Sequence, residues 1–580
     1  MNSAASSSRF RQAVVWPTTT AAFALLSACG GGNNDSLTAP PAQAPVAALS
    51  ADSCAALKSS LVIAGVQITG ASVINATASS ATSPALPAHC KITGAIDQRV
   101  GVDNLPYAIK FQILAPLGND WNKKFLFIGG GGSNGVVGDG LSAQGVSTSP
   151  LSRGYAILTQ DSGHDNTVDN LPAKSGTRTF GFDFQARVDN GYRSYDRATV
   201  VAKQIIKSAY GQSPEHSYFA GCSEGGREAL MVTQRFPTYF DGVVAGAPQL
   251  AAPFASLVRP AHILQTYATL AKKQGNYDRN GLPFLNNTFT DADLAVLTKG
   301  ITAACDALDG AVDGISSDFQ ACTAAFDPAK LQCAAGQTSG CLTPDQVTAL
   351  KTQMAGIPGD VRWYWDIGMV PGQLRSWWIG PSGATQNNAT MGNSAFVTSY
   401  TTPPPAIDMV ANNGSEPFRS MLNFDLSKDV FSVFTATDDF PESVWNLTYA
   451  TNPDLSAFRS RGGKIVVFQG QSDGAFTIDQ TIAYLRDVDS MAGGTASQFM
   501  RLFAVPNMGH CGGGNGTTSF DMLQALENWV EKGQAPDSVL ATAPAGTPWP
   551  GRTRPLCPYP KVARYKGSGS IEDAASFSCQ

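Results

Sequence analysis

Three residues of this 580-residue chain, Ser223, Asp473 and His510, have the types and chain order needed to activate a hydroxyl for attack on a carbonyl. A serine becomes a nucleophile when a histidine takes its proton. A carboxylate then fixes the histidine's tautomer and stabilises the imidazolium. Ser223 lies in Gly221-Cys222-Ser223-Glu224-Gly225. Before it, Ser217-Tyr218-Phe219-Ala220 reads as a short buried strand, and after it Gly226 to Arg235 reads as a helix. So tight a strand-to-helix turn needs small neighbours, since side chains there would clash. It lifts the hydroxyl above the end of a sheet, and the helix N-terminus points its N–H groups at the forming oxyanion.

The G-x-S-x-G pattern occurs twice more, around Ser133 and Ser472, and context separates the three. Ser133 follows an apolar run, Phe125 to Ile128, but leads into further glycine, where no helix can start. Ser472 follows the strand-like Lys464 to Phe468 and offers Asp473. A further buried strand, Arg501 to Val505, ends in Asn507-Met508-Gly509-His510-Cys511. Serine, aspartate, histidine is the chain order of the α/β-hydrolase triad. Of the five histidines, His216 is too close to Ser223 along the strand to fold back onto it. His89 and His262 lack a loop after a strand, and His164, in Asp161-Ser162-Gly163-His164-Asp165, is the one rival base. The glycine run Gly129 to Gly132 ends a strand where a hydrolase keeps its second oxyanion donor, unless it is only a floppy surface loop.

These groups need a scaffold, and the pattern around them supplies one. Tyr107 to Leu114 alternates as a strand, Phe125 to Ile128 and Tyr155 to Leu158 read as buried strands, and Tyr195 to Ser208 as an amphipathic helix. Helices between short buried strands predict a mostly parallel sheet covered on both faces, an α/β-hydrolase core formed by 51–250 and 452–580. Between elbow and acid, 251–451 changes rhythm and reads as an inserted lid. It carries Trp363, Trp365, Trp377, Trp378 and a Pro403-Pro404-Pro405 run. Its tryptophans would either wall an apolar pocket or form the lid's own core. Within it, Asp306-Ala307-Leu308-Asp309-Gly310-Ala311-Val312-Asp313-Gly314-Ile315 places three aspartates and two glycines in one turn. Such a turn could hold a hard cation such as calcium, although its spacing is not that of an EF-hand. It reads equally as a solvated turn.

Charged residues are 15% of the chain, the net charge is −5, and no Lys/Arg cluster appears, so neither nucleic acid nor an anionic membrane surface is an expected partner. Arg9 and Arg11 precede an apolar run from Val14 to Ala28 that is too short to span a bilayer. It ends Leu26-Ser27-Ala28-Cys29, like the lipobox of bacterial lipoproteins, with an ordinary signal peptide cut near Ala28 as the alternative. Residues 1–29 are thus expected to direct export and 30–50 to form a flexible tether. The product would be an outer-membrane lipoprotein held by a lipid on Cys29, or a periplasmic or secreted protein. Setting Cys29 aside, the eleven cysteines leave an even ten, which suggests disulfides. Cys305 with Cys322 and Cys333 with Cys341 are local candidates, and if Ser223 and His510 meet, Cys222 and Cys511 fall near bridging range. No C-x-x-C occurs, so metal binding by cysteine is not expected. A monomer acting on a small aromatic ester, with no organic cofactor, is the expected form. A calcium-dependent adhesion protein would need no triad. A secreted peptidase would share it, but no charged specificity pocket or propeller-like repeat is visible.

The elbow Gly221 to Glu228, the pairs Ser472-Asp473 and His510-Cys511, the turn Cys305 to Gly310 and the segment Arg552 to Pro560 together resemble the tannase/feruloyl esterase family, from about Cys54 to Cys579. The resemblance implies a serine carboxylesterase working through an acyl-enzyme. It implies oxyanion donors at the N–H groups of Gly132 and Glu224, and Trp377 and Phe476 packed on the substrate ring. It implies calcium held by the side chains of Asp306, Asp309 and Asp313 and the carbonyls of Ala311 and Ile315. It also implies disulfides Cys54–Cys90, Cys222–Cys511, Cys305–Cys322, Cys333–Cys341 and Cys557–Cys579. Mono(2-hydroxyethyl) terephthalate is the leading substrate it implies, with ferulate and gallate esters of plant phenolics as the alternative. There is one departure. Members acting on the terephthalate monoester carry a lid arginine after the Trp-Trp pair that grips the free carboxylate, with a phenylalanine four residues on. The stretch Asn387 to Ala395 has neither. The expectation is therefore weak binding of the free acid and better use of esters without a distal carboxylate.

Overall fold

Alternation within short strands builds two hydrophobic layers. In Lys124-Phe125-Leu126-Phe127-Ile128, Phe125 and Phe127 join one buried cluster and Leu126 and Ile128 the other. Val243 against Val244, and Val467 against Val466, divide in the same way. Strands buried on both faces in this manner are those of a parallel sheet.

The computed structural model describes residues 48–80, 84–357 and 372–580. The export segment with Cys29, the tether up to residue 47, and Trp363 and Trp365 lie outside the described residues. Val46–Gln580 form one unit. Its main sheet comprises β1 (Val66–Ile74), β2 (His89–Val100), β3 (Pro106–Pro116), β4 (Lys124–Ile128), β5 (Ala156–Gln160), β6 (His216–Cys222), β7 (Gly242–Gly246), β8 (Lys464–Gly470) and β9 (Met500–Val505). Their order is β1-β2-β3-β5-β4-β6-β7-β8-β9. The pairings from β1 to β5 are antiparallel, and every pairing from β5 to β9 is parallel. This is the expected mostly parallel sheet, with an antiparallel flank that alternation alone could not distinguish.

Helices α1 (Ser194–Tyr210), α2 (Glu224–Arg235) and α3 (Ile478–Met491) cover the Phe125/Phe127 face, and α4 (Met522–Lys532) covers the other. Gly211, at φ 69°, ends α1 in the left-handed conformation that glycine adopts without steric cost. The segment 251–451 runs between neighbouring strands β7 and β8 and contributes no strand to the sheet among its described residues. Arg259–Lys273, Asp291–Cys305 and Pro344–Ala355 are its longest helices. Thr290 with Asp293, and Thr343 with Gln346, form reciprocal capping boxes at the starts of the latter two. No described helix is long and apolar enough to cross a membrane.

The resemblance's five cysteine pairs are all disulfides, Cys54–Cys90, Cys222–Cys511, Cys305–Cys322, Cys333–Cys341 and Cys557–Cys579.

A polar cluster ties α4 to the sheet. The buried carboxylate of Glu527 accepts from Lys124 Nζ at 2.9 Å and from the side chains of Arg153 and Tyr155. Without Glu527, Lys124 keeps Glu531 and Arg153 keeps Asp521, and the buried Tyr155 hydroxyl loses its acceptor. Glu527→Ala is expected to cost about 1–3 kcal/mol, read as a lower Tm, with partial recovery in Glu527→Gln. A Tm equal to wild type in the alanine variant would show that the cluster does not hold the helix.

Candidate active site

Ser223 ends β6 with φ 65° and ψ −121°, a strained backbone for a residue with a Cβ. What permits it is the closeness of the surrounding chain. A Cβ at Gly221 would meet Gly225 O at 2.5 Å, one at Gly225 would meet Gly130 O at 2.6 Å, and one at Gly226 would meet Gly246 O at 2.2 Å. Those approaches are used: Ser223 N donates to Gly246 O at 3.0 Å and Gly225 N to Gly130 O at 3.1 Å. Elbow, glycine loop and β7 are thus hydrogen-bonded at a spacing that only glycine allows.

His510 approaches from the loop after β9. Its Nδ1 lies 2.9 Å from Asp473 Oδ2 and 3.1 Å from Oδ1. Asp473 is itself buried, and its Oδ1 accepts from the N–H groups of Ala475 at 2.8 Å and Phe476 at 3.0 Å, which fixes the carboxylate. The Cys222–Cys511 bridge, with a Cα–Cα distance of 5.9 Å, joins the residue before the serine to the residue after the histidine. The rings of Trp377 and Phe476 meet the imidazole edge-on, each with centroids 5.1 Å away. Ser223 and His510 line one cleft of about 390 Å³ with Gly129 to Gly132, Trp377, Met391, Phe396 and Phe476. His164 is elsewhere. It is buried and stacked on Phe180 at 4.0 Å, and burial pushes its pKa down to about 3, so it cannot serve as a base for Ser223.

Under the elbow lies a layer of buried charge that the sequence did not single out. Arg227 Nη2 pairs with Glu224 Oε1 at 2.8 Å and its Nη1 donates to Gly191 O at 3.0 Å. Asp189–Arg193 form a π-helical turn, the kind of irregularity that frees carbonyls from the helical ladder. Asn190, in that turn, donates to Glu224 Oε1 at 3.2 Å and to Ser133 O at 3.2 Å. Glu228 Oε2 accepts from Gly130 N at 3.1 Å and its Oε1 from Asn134 Nδ2 at 3.1 Å, so a carboxylate on α2 holds the glycine loop. Gly132, at φ 71°, lines the cleft, and Glu224 is the first residue of α2. The only advance sign of this layer was Arg227-Glu228 continuing the elbow motif.

The lid completes the wall. Gln373 Oε1 accepts from Trp377 Nε1 and from Gly474 N, both at 3.1 Å. Of the Trp-Trp pair, Trp377 lines the cleft and Trp378 is fully buried in the core. From the stretch that lacks the lid arginine and phenylalanine, Met391 lines the cleft, as does Phe396 just beyond it.

The aspartate turn lies apart from the cleft lining. Asp306 Oδ1 accepts from Gly314 N at 2.9 Å and Asp309 Oδ2 from Ser317 N at 2.9 Å, while Asp313 pairs with Arg554. Burial, with the charge of Asp313, pushes Asp309 up to about 6. The carboxylates and the carbonyls of Ala311 and Ile315 are hard-oxygen donors of the kind calcium takes. Among the described residues, however, no three Asp, Glu, His or Cys side chains converge as metal ligands, and Arg554 supplies countercharge. The turn also braces the catalytic loops: Asn507 Nδ2 donates to Gly314 O at 2.7 Å and Gln471 Nε2 to Ser317 O at 3.3 Å.

Burial and the charge of Glu224 push Glu228 up to about 8, while Glu224 itself keeps the Arg227 guanidinium as partner. A carboxyl raised in the folded state stabilises fully below its unfolded value and loses that contribution as pH climbs through the folded one. Tm is therefore expected to fall between about pH 5 and pH 8, and the fall to be shallower in Glu228→Gln. Parallel Tm–pH curves for the two proteins would refute the assignment.

The chain matches the family model described as tannase and feruloyl esterase over residues 90–580. It is 42% identical over 537 residues to mono(2-hydroxyethyl) terephthalate hydrolase of Piscinibacter sakaiensis, covering 87% of each chain. A probable feruloyl esterase of Arthroderma benhamiae is 30% identical, over 81% of this chain and 82% of that one. In fold, the chain is similar to feruloyl esterase B from Aspergillus oryzae, with a TM-score of 0.69 at 24% identity, covering 91% of this chain and 100% of that one. It is also similar to a tannin acyl hydrolase from Aspergillus niger, with a TM-score of 0.63 at 21% identity, covering 90% and 92%. Family match, relatives and architecture agree: the chain belongs to the tannase and feruloyl esterase family and is a carboxylic ester hydrolase.

Proposed function

We propose that this enzyme hydrolyses aromatic monoesters by a Ser223–His510–Asp473 mechanism, with mono(2-hydroxyethyl) terephthalate as its leading substrate and terephthalate and ethylene glycol as products. The observation that carries this reading is the 2.9 Å contact of His510 with a buried Asp473, beside a serine held at φ 65°. Ser223 Oγ attacks the ester carbonyl as His510 Nε2 takes its proton, and Asp473 stabilises the imidazolium through Nδ1. The N–H groups of Gly132 and Glu224 receive the oxyanion. Collapse expels the alcohol, which leaves with the proton from His510. Water, deprotonated by the same imidazole, then releases the acid and regenerates the serine. Trp377, Phe476, Phe396 and Met391 form an apolar wall that suits an aryl acyl group. The 42% identity to the terephthalate monoester hydrolase favours that ester over the phenolic esters named in more distant relatives.

Ser223→Ala, His510→Ala and Asp473→Asn should each lower kcat by about 10³-fold or more, and their effects should not add. Near-normal turnover in Ser223→Ala ends the triad assignment. For substrate, kcat/KM is compared across terephthalate, benzoate, ferulate and gallate esters. A clear preference for ferulate or gallate overturns the leading substrate and leaves the esterase intact.

The reading extends to export and to metal. The N-terminal pattern supports an exported protein, with acylation of Cys29 as its lipoprotein form. Asp306, Asp309 and Asp313 with the carbonyls of Ala311 and Ile315 would hold calcium, which when bound supplies charge neutralisation to a structural turn and takes no part in ester cleavage. Chelation by EGTA should lower Tm by mass action while leaving turnover well below the melting range unaffected. A Tm indifferent to both EGTA and added calcium would leave Arg554 as the countercharge and remove the metal from the account.

A further inference from the structure

Arg178 is a buried cation without a carboxylate. It comes from the segment between β5 and α1 and is only 8% exposed. Its Nε donates to Ser394 O of the lid at 3.3 Å, and its guanidinium lies over the Phe396 ring, 4.6 Å from the centroid. Its Nη1 is buried and has no hydrogen-bond acceptor among the described residues. No ion pair to Arg178 forms among those residues either, whereas Arg227 pairs with Glu224 and Arg554 with Asp313. Burial lowers its pKa, and the charges of Tyr400 and Glu224 only partly offset this.

An arginine taken out of water without a partner is costly, and a face-on aromatic contact with one carbonyl replaces little of its hydration. Its position gives the deficit a meaning. Arg178 lines a cavity of about 560 Å³ that shares Ile128, the glycine loop Gly129 to Gly132 and Ser142 with the catalytic cleft. Phe396, on which the guanidinium rests, is a wall of the cleft itself. The guanidinium therefore lies between Phe396, a wall of the cleft, and the adjoining cavity that shares the glycine loop with it.

We propose that Arg178 is the specificity residue for a carboxylate carried by the substrate, taking the place of the arginine missing from the lid. A planar guanidinium already stacked on Phe396 is pre-oriented for a charge-assisted hydrogen bond to a carboxylate, with little rotamer freedom left to lose. The proposal rests on the aromatic-ester reading above and reverses the expectation, drawn from the lid alone, that the free acid is bound weakly.

The test compares the 2-hydroxyethyl monoester of terephthalate with 2-hydroxyethyl 4-methylbenzoate, which replaces the distal carboxylate by a methyl group. Wild-type enzyme should favour the carboxylate ester by about 10- to 100-fold in kcat/KM, mainly through KM and less so at high salt. In Arg178→Met the ratio of the two kcat/KM values should collapse toward one, and in Arg178→Lys it should be intermediate. A ratio in Arg178→Met equal to that of wild type overturns the proposal. Should Arg178→Met lack a cooperative melting transition, inhibition of wild type decides: terephthalate should inhibit at about one-tenth the concentration of 4-methylbenzoate or less, and equal inhibition overturns it. Hydrolysis of both esters without discrimination defeats the carboxylate subsite alone. Failure of wild type on both defeats the aromatic-ester reading, and the subsite with it.

Discussion

The approach of three pieces of backbone at Gly225 is the constraint on which the rest of the site depends. The elbow, the glycine loop after β4 and the end of β7 come so close that any Cβ at Gly221, Gly225 or Gly226 would collide with a carbonyl. In return, Ser223 is held in a conformation that a residue with a side chain rarely adopts, and the loop carrying Gly132 is set beside the N-terminus of α2. Strain of this order persists only where the surroundings over-determine it. Here the hydrogen bonds from Ser223 N to Gly246 O and from Gly225 N to Gly130 O, with a disulfide from the preceding residue, supply that.

The buried charges beneath the elbow follow from the same constraint. A glycine loop has no side chains with which to hold itself, so its register must come from outside. Glu228 provides it by accepting from Gly130 N and Asn134 Nδ2. Beside Glu224, burial holds the Glu228 carboxyl well above the usual range, while Arg227 supplies the countercharge of Glu224 and donates to the carbonyls of the π-helical turn at Asp189–Arg193. The network thus serves geometry first. A buried ion pair is weak evidence for stability, yet losing one member leaves a charge with no partner.

The lid and the aspartate turn act on the other two catalytic loops. Gln373 and Trp377 pack on Gly474, where a Cβ would meet Trp377 at 2.6 Å, so the acid loop and the lid are fitted to each other. Asn507 and Gln471 reach the aspartate turn from the histidine and acid loops. The inserted segment is therefore more than a cover, because it fixes the backbone that presents Asp473 and His510. Its two faces differ in kind. Trp377 and Phe396 offer rings to the cleft, while Trp378 is buried in the hydrophobic core.

Sequence by itself determined what depends on local sterics and chain order. The elbow was legible because a serine between small residues, after an apolar strand and before a helix, has few other uses. Alternation in β3 and the apolar runs of β4, β5, β6, β8 and β9 exposed the sheet, since side-chain period follows directly from strand geometry. The acid and base were legible from their places after strands, and the even cysteine count from the chemistry of export. What only the tertiary structure decided depends on residues distant in the chain meeting in a dry interior. Whether Trp377 or Trp378 faced the cleft turned on how the lid sat. His164 kept a motif-like setting but was taken into the core against Phe180. Glu228 and Arg227 carried no spacing signal for their roles, because their partners are a π-helical turn and a glycine loop some forty to a hundred residues away. Arg178 is the clearest case: in sequence it is one arginine in a polar loop. Folding buries it over Phe396 with one donor lacking an acceptor among the described residues, and solvation energetics then give that placement its significance.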